Sequence, residues 1–509
     1  MEDKKKLISE FLNKGILISK DSIEKVRKEG LPEQADLLYV NEDLLNIFEH
    51  TAEINLLEFE KARAVLEKVG DEKSYNKFLN YFKDSPVEDI SKMNVEVSFE
   101  EVSEKWEVHD FTMHFNSRLE MLQKILYSRD ELKNTTSVNR VLAKRERENV
   151  ALIGLVKEKK TTKNGNLMLE LEDSTGTIKV LVNKNKPDLF SNSQDIVLDE
   201  VIGVSGVNGD KIVFANNVIW PDVPLTNELR KSNEEGYALF LSDLHVGSDN
   251  FLADDFNKFL AWINQKVGSK QQKDIASKVK YIFILGDLVD GVGVYPDQEK
   301  ELVINDIYDQ YRECTRLLKQ IPDNMQLIIC AGNHDALRIA EPQPPLTKEF
   351  CPGLHDMPNV SMVSNPAVVN IHSSKNFSGY KVLIYHGYSF DHYVANVDSI
   401  RNNGGYNNAD LIMKFLLKRR HLAPTHASTL YVPYMNKDPL VIEQVPDFFV
   451  SGHIHKSVVA HYKNITLISG SCWQSKTPFQ EKVGHIPEPG RVPIVDLATR
   501  KAKILRFGK

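Results

Sequence analysis

The spacing of hydrophobic and polar positions changes along the chain and divides it into four segments. Over residues 1–84 apolar residues recur every three or four positions, as in "KKLISEFLNKG" and "LLEFEKARAVLEKV", which predicts an α-helical N-terminal module. Residues 85–148 are charged and poor in large aliphatic side chains, apart from "HFNSRLEMLQKILYSRDEL". We therefore predict a charged linker with one helix between the module and the next domain.

Between residues 149 and 222 the pattern changes to short alternating runs typical of β-strands. Five such runs, "VALIGLVKE", "NLMLELED", "TIKVLVN", "EVIGVSGV" and "KIVFANNVIW", are separated by turn-forming residues. Five strands in so short a segment predict a β-barrel of the OB-fold type. Its basic first loop carries Lys157, Lys159 and Lys160, which are candidate nucleic-acid contacts or simply a solvated hairpin.

From residue 236 to residue 509 short apolar runs alternate with helical patterns. The runs include "YALFLSD", "YIFILGD", "LIICAGN", "KVLIYHG" and "DFFVSGH". This order predicts a layered α/β domain, and the whole chain is expected to be multidomain. In such domains binding sites form where the strands end.

Composition narrows the classes of function. The chain has 509 residues, of which 41% are hydrophobic and 27% are charged, and its net charge is −7, so it does not bind nucleic acid by bulk positive charge. No apolar stretch reaches the roughly 20 residues needed to span a bilayer. We expect a cytoplasmic, nucleoid-associated protein without a membrane partner. The four cysteines are scattered singly, so neither a disulfide framework nor a structural zinc site is expected.

Polar residues with metal-binding side chains follow five of the predicted strands in the last domain. They are Asp243, His245, Asp287, Asp290, Asn333, His334, Asp335, His386, His453 and His455. One residue of this kind at a strand end is usually a cap, but five such endings in one domain predict a metal site. The oxygen and nitrogen donors are too many for one tetrahedral ion and suggest two divalent ions, with manganese expected and iron or zinc as alternatives. Paired ions of this kind promote phosphoester hydrolysis.

The motifs "DLH", "GDLVD", "GNHD", "HG" and "GHIH" occur in the order found in calcineurin-like metallophosphoesterases, and the segment 236–509 resembles that family. The resemblance implies that Asp287 bridges the two ions. It assigns the other ligands to one ion or the other as follows: Asp243, His245 and His455 to the first; Asn333, His386 and His453 to the second. It also implies that His334 protonates the leaving oxygen, with Asp290 or Asp335 orienting its ring.

The arrangement of the whole chain points to a more particular family. Gly291 follows Asp290 where protein phosphatases have arginine, and Asp335 stands where they have glutamate. These two differences argue against a phosphoprotein phosphatase. A helical module, a linker, a barrel and a phosphoesterase domain in this order resemble the small subunits of archaeal family D DNA polymerases, a B-subunit family. "HFNSRLEMLQKIL", "EPQPPL" and "TPFQEKVGHIPEPGRVPIVDL" support the likeness.

This resemblance implies a 3′–5′ exodeoxyribonuclease that degrades single-stranded DNA ends for proofreading, within a DNA-directed DNA polymerase. The implied partners are a large catalytic subunit and DNA with a single-stranded 3′ end, and a sliding clamp is a further candidate. A stand-alone phosphoesterase and a scaffold with a vestigial site are the alternatives. Lys418, Arg419 and Arg420 form a second basic cluster, which either contacts phosphates or ends a helix.

Overall fold

The computed structural model describes residues 92–100, 105–482 and 485–508. The predicted helical module over residues 1–84 lies outside the described residues. All described residues belong to one compact unit, Ser91–Lys509.

The segment predicted to be a linker is largely built into the fold. It contains strand β1 (Lys92–Val97), helix α1 (Val108–Leu126), a 3-10 turn (Asp130–Leu132) and helix α2 (Val138–Leu142). Strand β1 alternates polar and apolar residues over only six positions, which is a weak signal, and it pairs with β11 of the last domain.

Helix α1 is the one helix that the sequence predicts here, and it is held by both neighbouring domains. Its Leu122 and Leu126 pack in one apolar cluster with Ile153 of the barrel. The buried Arg118 guanidinium donates from Nε to Asp438 Oδ2 of the last domain at 2.6 Å. Residues 108–126 therefore join the two domains rigidly, which a charged linker would not do.

The barrel has the five strands that the sequence predicts. Its elements are β2 (Asn149–Thr161), β3 (Leu167–Asp173), β4 (Gly176–Val182), α3 (Pro187–Ser193), β5 (Val201–Gly209) and β6 (Ile212–Ile219). The strands close in the order β2-β3-β4-β6-β5, and β2 pairs with β5 to complete the ring. Leu152, Leu169, Val180 and Val204 are fully buried, so side chains fill the barrel.

The last domain is the predicted layered α/β structure, built on two six-stranded sheets. The first sheet and its helices comprise β7 (Tyr237–Leu241), α4 (Ala253–Ile263), α5 (Lys270–Ser277), β8 (Val279–Leu285), α6 (Ile307–Leu318), β9 (Gln326–Cys330), α7 (Pro352–His355), β10 (Val360–Met362), β16 (Arg491–Asp496) and β17 (Ala502–Arg506). The second sheet includes β1, and its other elements are β11 (Ala367–Ser373), β12 (Tyr380–Ile384), α8 (Phe390–Asn396), α9 (Asp398–Arg401), α10 (Ala409–Arg419), β13 (Phe448–Ser451), β14 (Val458–Tyr462), β15 (Ile465–Ser469) and α11 (Pro478–Lys482).

The two sheets pack face to face, and the helices cover their outer faces. Phe240 and Phe283 of the first sheet share a buried cluster with Val382 and Val450 of the second. Strands β7, β8 and β9 run parallel in the first sheet, as do β12 and β13 in the second. The polar residues that follow these five strands meet at one edge of the sandwich, where a site is expected. Among the described residues, no helix is long and apolar enough to cross a membrane.

Candidate metal centre

The five strand ends bring the predicted ligands together. Asp243, His245 and His455 each offer a ligand atom, and these atoms lie within 4.8 Å of one another. Asp287, His386 and His453 form a second group of the same kind, and a third group, His245, Asp287 and His334, shares a residue with each of them. All seven predicted metal ligands are in the cluster, since Asn333 Oδ1 is 3.0 Å from His386 Nε2.

Asp287 lies between the two groups. Its Oδ2 is 3.4 Å from His386 Nε2 of the second group and 3.9 Å from His245 Nε2 of the first. In the first group, His455 Nε2 is 3.4 Å from Asp243 Oδ1 and 3.2 Å from His245 Nε2. A carboxylate in this position can serve two ions, as the sequence resemblance implies for Asp287.

Three of the four imidazoles have one ring nitrogen against an oxygen acceptor, which leaves the other nitrogen for a metal. These contacts are His245 Nδ1 with Asp290 Oδ1 at 3.1 Å, His386 Nδ1 with the Leu285 carbonyl at 2.7 Å, and His453 Nε2 with Asp391 Oδ2 at 3.0 Å. His455 differs, because its Nδ1 lies 2.9 Å from the side-chain amide nitrogen of Gln480, which is a donor. Metal-binding histidines in proteins are held in this way, because the outer contact fixes the tautomer and the direction of the ring.

The backbone at the site is strained. Five candidate ligands have positive φ angles: Asp243 (51°), His245 (51°), Asp287 (51°), His453 (71°) and His455 (51°). Such conformations cost about 1–3 kcal/mol each and persist where the surrounding structure imposes them, typically at functional sites.

Glycines allow the close approach of these segments. A Cβ atom at Gly332 would collide with Asp287 Oδ1, and one at Gly452 would collide with Ser242 Oγ.

The electrostatics of the cluster favour the binding of cations. Burial would raise the pKa of Asp287, but the imidazoles of His386 and His334 hold it well below its usual value. Burial would likewise lower the pKa of His386, but Asp287 raises it to about 10. The buried carboxylates thus attract cations, and a donor set of carboxylate, amide and imidazole groups fits divalent transition metals.

Asp290 contacts His334 in a different way from the one that the sequence predicts. His334 Nδ1 is 2.7 Å from the main-chain carbonyl of Asp290. The Asp290 carboxylate instead accepts from His245 Nδ1 at 3.1 Å and from Gln298 and Gln474, each at 2.9 Å. The predicted carboxylate contact is therefore wrong, because the turn after β8 directs the side chain of Asp290 toward the candidate ligand His245.

Asp335, the other candidate for orienting His334, is also turned away. Its carboxylate accepts from the Gly332 amide at 2.8 Å, the Tyr311 hydroxyl at 3.0 Å and the Leu288 amide at 3.2 Å. Burial, together with the charge of Asp287, raises the pKa of Asp335 to about 7. These contacts close the "GNHD" turn, so the direct role of Asp335 is to hold the turn.

The centre opens into a cavity of about 460 Å³, and several of its lining residues have no sequence signal. Tyr295, Tyr388, Tyr406 and His485 contribute rings to its wall. They come from segments that are far apart in the chain, and none of them belongs to a metal-ligand motif. Only the position of Tyr388, two residues after His386 in "HGYSF", could have drawn attention to it.

The six basic residues predicted to contact nucleic acid differ in exposure. In the barrel, Lys159 Nζ donates to the carbonyls of Gln194 and Ile196, while Lys157 and Lys160 are half exposed and paired with glutamates.

In the second cluster, burial contradicts the predicted phosphate contact. Arg419 is 2% exposed and pairs with Glu200 of the barrel, and Arg420 is 3% exposed and donates to the carbonyl of Ile442. Lys418 lies 3.8 Å over the ring of Trp220. Lys418 and Arg419, at the end of α10, therefore connect the last domain to the barrel, whereas Arg420 is bonded within the last domain.

Comparisons with known proteins agree with this architecture. Residues 238–459 match the family model of the B subunits of DNA polymerases alpha and epsilon. Over this stretch the chain is similar to the B subunits of DNA polymerases.

More particularly, the chain belongs to the archaeal DNA polymerase II small subunit family. It is 38% identical to the member from Methanothermobacter thermautotrophicus, over 78% of this chain and 79% of that protein. It is 40% identical to the Archaeoglobus fulgidus member, over 76% and 75% of the two chains, and 37% identical to the Pyrococcus abyssi member, over 87% and 73%. The family predicted from the order of segments is confirmed.

Proposed function

We propose that this chain is a small subunit of a replicative DNA polymerase and that it removes nucleotides from single-stranded 3′ ends. One observation carries the nuclease proposal: two groups of carboxylate and imidazole ligands meet around Asp287 at one edge of the sandwich. A scaffold has no need for such a cluster, because its strained backbone and buried charges destabilise the fold.

Asp243, His245, Asp287 and His455 would hold one divalent ion, and Asp287, Asn333, His386 and His453 the other. When bound, such a pair polarises the phosphoryl oxygens and lowers the pKa of a coordinated water. Manganese suits this donor set, and iron or zinc are the alternatives.

His334 is suited to protonate the leaving group. Its Nδ1 is held by the Asp290 carbonyl at 2.7 Å, so a proton for the reaction must be carried on Nε2. In the hydrolysis the oxygen of water bonds to phosphorus and the water gives up one proton to the solvent. The bond between phosphorus and the 3′ oxygen of the preceding nucleotide breaks, and His334 delivers a proton to that oxygen and is then reprotonated from the solvent. The products are a nucleoside 5′-monophosphate and a strand shortened by one nucleotide with a free 3′ hydroxyl.

Membership of a small-subunit family also indicates which partners this chain has. A small subunit of a DNA polymerase implies a large catalytic subunit, and we propose that the two act together on a primer end. A mismatched end unpairs at little cost in free energy, so a hydrolase that accepts single strands acts preferentially on mismatched ends. A sliding clamp is a further candidate partner.

The test is to incubate the purified full chain, alone and with its large subunit, with manganese and a 3′-mismatched primer–template. We expect stepwise shortening from the 3′ end. Asp287→Ala should abolish it, His334→Ala should reduce it strongly while manganese still binds, and Asp130→Ala, which removes a carboxylate that is 85% exposed, should have no effect. Absence of cleavage with manganese bound would contradict the nuclease proposal and favour a scaffold.

A further inference from the structure

A second cavity adjoins the metal centre. Its volume is about 470 Å³, and Tyr388 and Asp391 line both cavities. The remaining lining residues are His392, His426, Ala427, Ser428, Thr429 and Leu430. The two cavities therefore lie side by side at Tyr388 and Asp391.

The lining of the second cavity suits an uncharged group. It contains no lysine or arginine, so it offers little to a phosphate. Three ionisable groups of the lining already have side-chain partners. Asp391 accepts from His453, His426 Nδ1 is 2.6 Å from the Tyr431 hydroxyl, and His392 Nδ1 is 3.4 Å from the Asn396 amide nitrogen. Leu430 adds an apolar side chain that is 64% exposed.

Tyr388 is placed to stack a flat ring. Its ring centroid lies 5.8 Å from that of the candidate ligand His453, at an interplanar angle of 58°. The side chain is partly exposed, and no hydrogen bond joins its hydroxyl to another residue in the described part of the chain. Tyr388 therefore offers a partly exposed ring and a hydroxyl group to a ligand.

We propose that the second cavity binds the base of the nucleotide whose phosphate lies at the metal centre, with the base stacked on Tyr388. This inference rests on the proposed function, which it deepens by naming the substrate as a nucleotide with an unpaired base. A base in this cavity cannot pair with a template strand, so the site selects frayed ends. Stacking on aromatic rings tolerates all four bases, as proofreading requires.

The test measures binding without hydrolysis. Manganese-loaded full chain is titrated with dAMP and with the abasic analogue 1,2-dideoxyribose 5-phosphate. We expect dAMP to bind about tenfold more tightly, a difference of about 1.4 kcal/mol. Ala427→Trp, which fills the cavity from an exposed position, should remove this preference, whereas Ala143→Trp at an exposed position outside the cavity lining should keep it.

Two variants of Tyr388 test the same inference if Ala427→Trp does not fold. Tyr388→Leu should lose the preference for dAMP, and Tyr388→Phe should retain most of it, because the ring is conserved. Equal affinities for the two ligands, no binding of either, or a preference that survives both Ala427→Trp and Tyr388→Leu would overturn the inference.

A cleavage assay separates the inference from the proposed function. Oligonucleotides with a natural or an abasic 3′ residue are compared, and the natural end should be cut about tenfold faster at low substrate concentration. If the chain cuts both ends equally, the nuclease proposal stands and the base site is wrong. If it cuts neither but prefers dAMP in the binding assay, the base site stands and the nuclease proposal is wrong.

Discussion

Replacing Asp290 by asparagine discriminates between the two roles that sequence and structure assign to this residue. If the carboxylate oriented His334, Asp290→Asn would slow the chemical step and leave metal binding unchanged. In the structure the carboxylate contacts the candidate ligand His245, and His334 is held by the main chain. We therefore expect Asp290→Asn to weaken metal binding.

The contacts of Asp290 set the size of the effect. The residue is 1% exposed, and its two oxygens accept from His245, Gln298 and Gln474. An asparagine would turn its amide nitrogen toward one of these donors and would remove the negative charge beside His245. Loss of such outer contacts weakens metal binding by about 10- to 100-fold. Because the contact between Asp290 and His245 is buried, we expect manganese affinity to fall by about 100-fold, or about 2.7 kcal/mol.

Calorimetric titration of the metal-free chain with manganese measures this effect. Burial would raise the pKa of Asp290, but its contacts with His245 hold the pKa below the usual value. The carboxylate is therefore ionised throughout the assay range, and the loss should be the same at pH 6 and pH 8. Asp391→Asn is the matched comparison: Asp391 contacts His453 at 3.0 Å but is 53% exposed, so about a tenfold loss is expected.

Cleavage at saturating manganese completes the comparison. It should be largely restored in Asp290→Asn, since His334 keeps its main-chain contact. Affinity within threefold of the unsubstituted chain, with a slow chemical step, would refute the reasoning.

Three further predictions concern stability and the geometry of the site. Arg419→Ala leaves Glu200 buried without its partner and should reduce the free energy of unfolding by about 3–5 kcal/mol in urea denaturation, whereas Lys157→Ala should change it by less than about 0.5 kcal/mol. Gly332→Ala should lower manganese affinity at least about tenfold in the same titration, because its methyl group would displace Asp287. Burial raises the pKa of Glu341 to about 8 from 4.5, so its stabilising contribution is complete below pH 4.5 and is lost as the pH rises through 8. The stability of Glu341→Gln relative to the unsubstituted chain should therefore rise between pH 5 and pH 8.5, and equal pH profiles would contradict this.

Much of the fold and the ligand set could be predicted because the relevant signals are local. The run "YIFILGD" is an apolar strand followed by a turn with a carboxylate, and five such runs place their polar residues at one edge once the strands are parallel. Alternating apolar residues in the barrel, such as Leu167, Leu169 and Leu171, likewise identify a strand without knowledge of its neighbours.

Other features depend on which surfaces meet, and a sequence pattern does not contain that information. "KMNVEV" becomes strand β1 only because it pairs with β11. The basic end of α10 resembles a phosphate-binding cluster until the barrel brings Glu200 against Arg419.

Residue type and spacing along the chain were enough to predict the five strands of the barrel, the strand ends that carry the candidate metal ligands, and the family. Contacts between distant segments were needed to show that the main chain of Asp290 holds His334, that Asp391 holds His453, and that Tyr388 separates two cavities. The physical reason is range: hydrogen bonds and stacking act over a few ångströms, and the direction of each side chain is set by backbone turns and by packing between segments that are far apart in sequence.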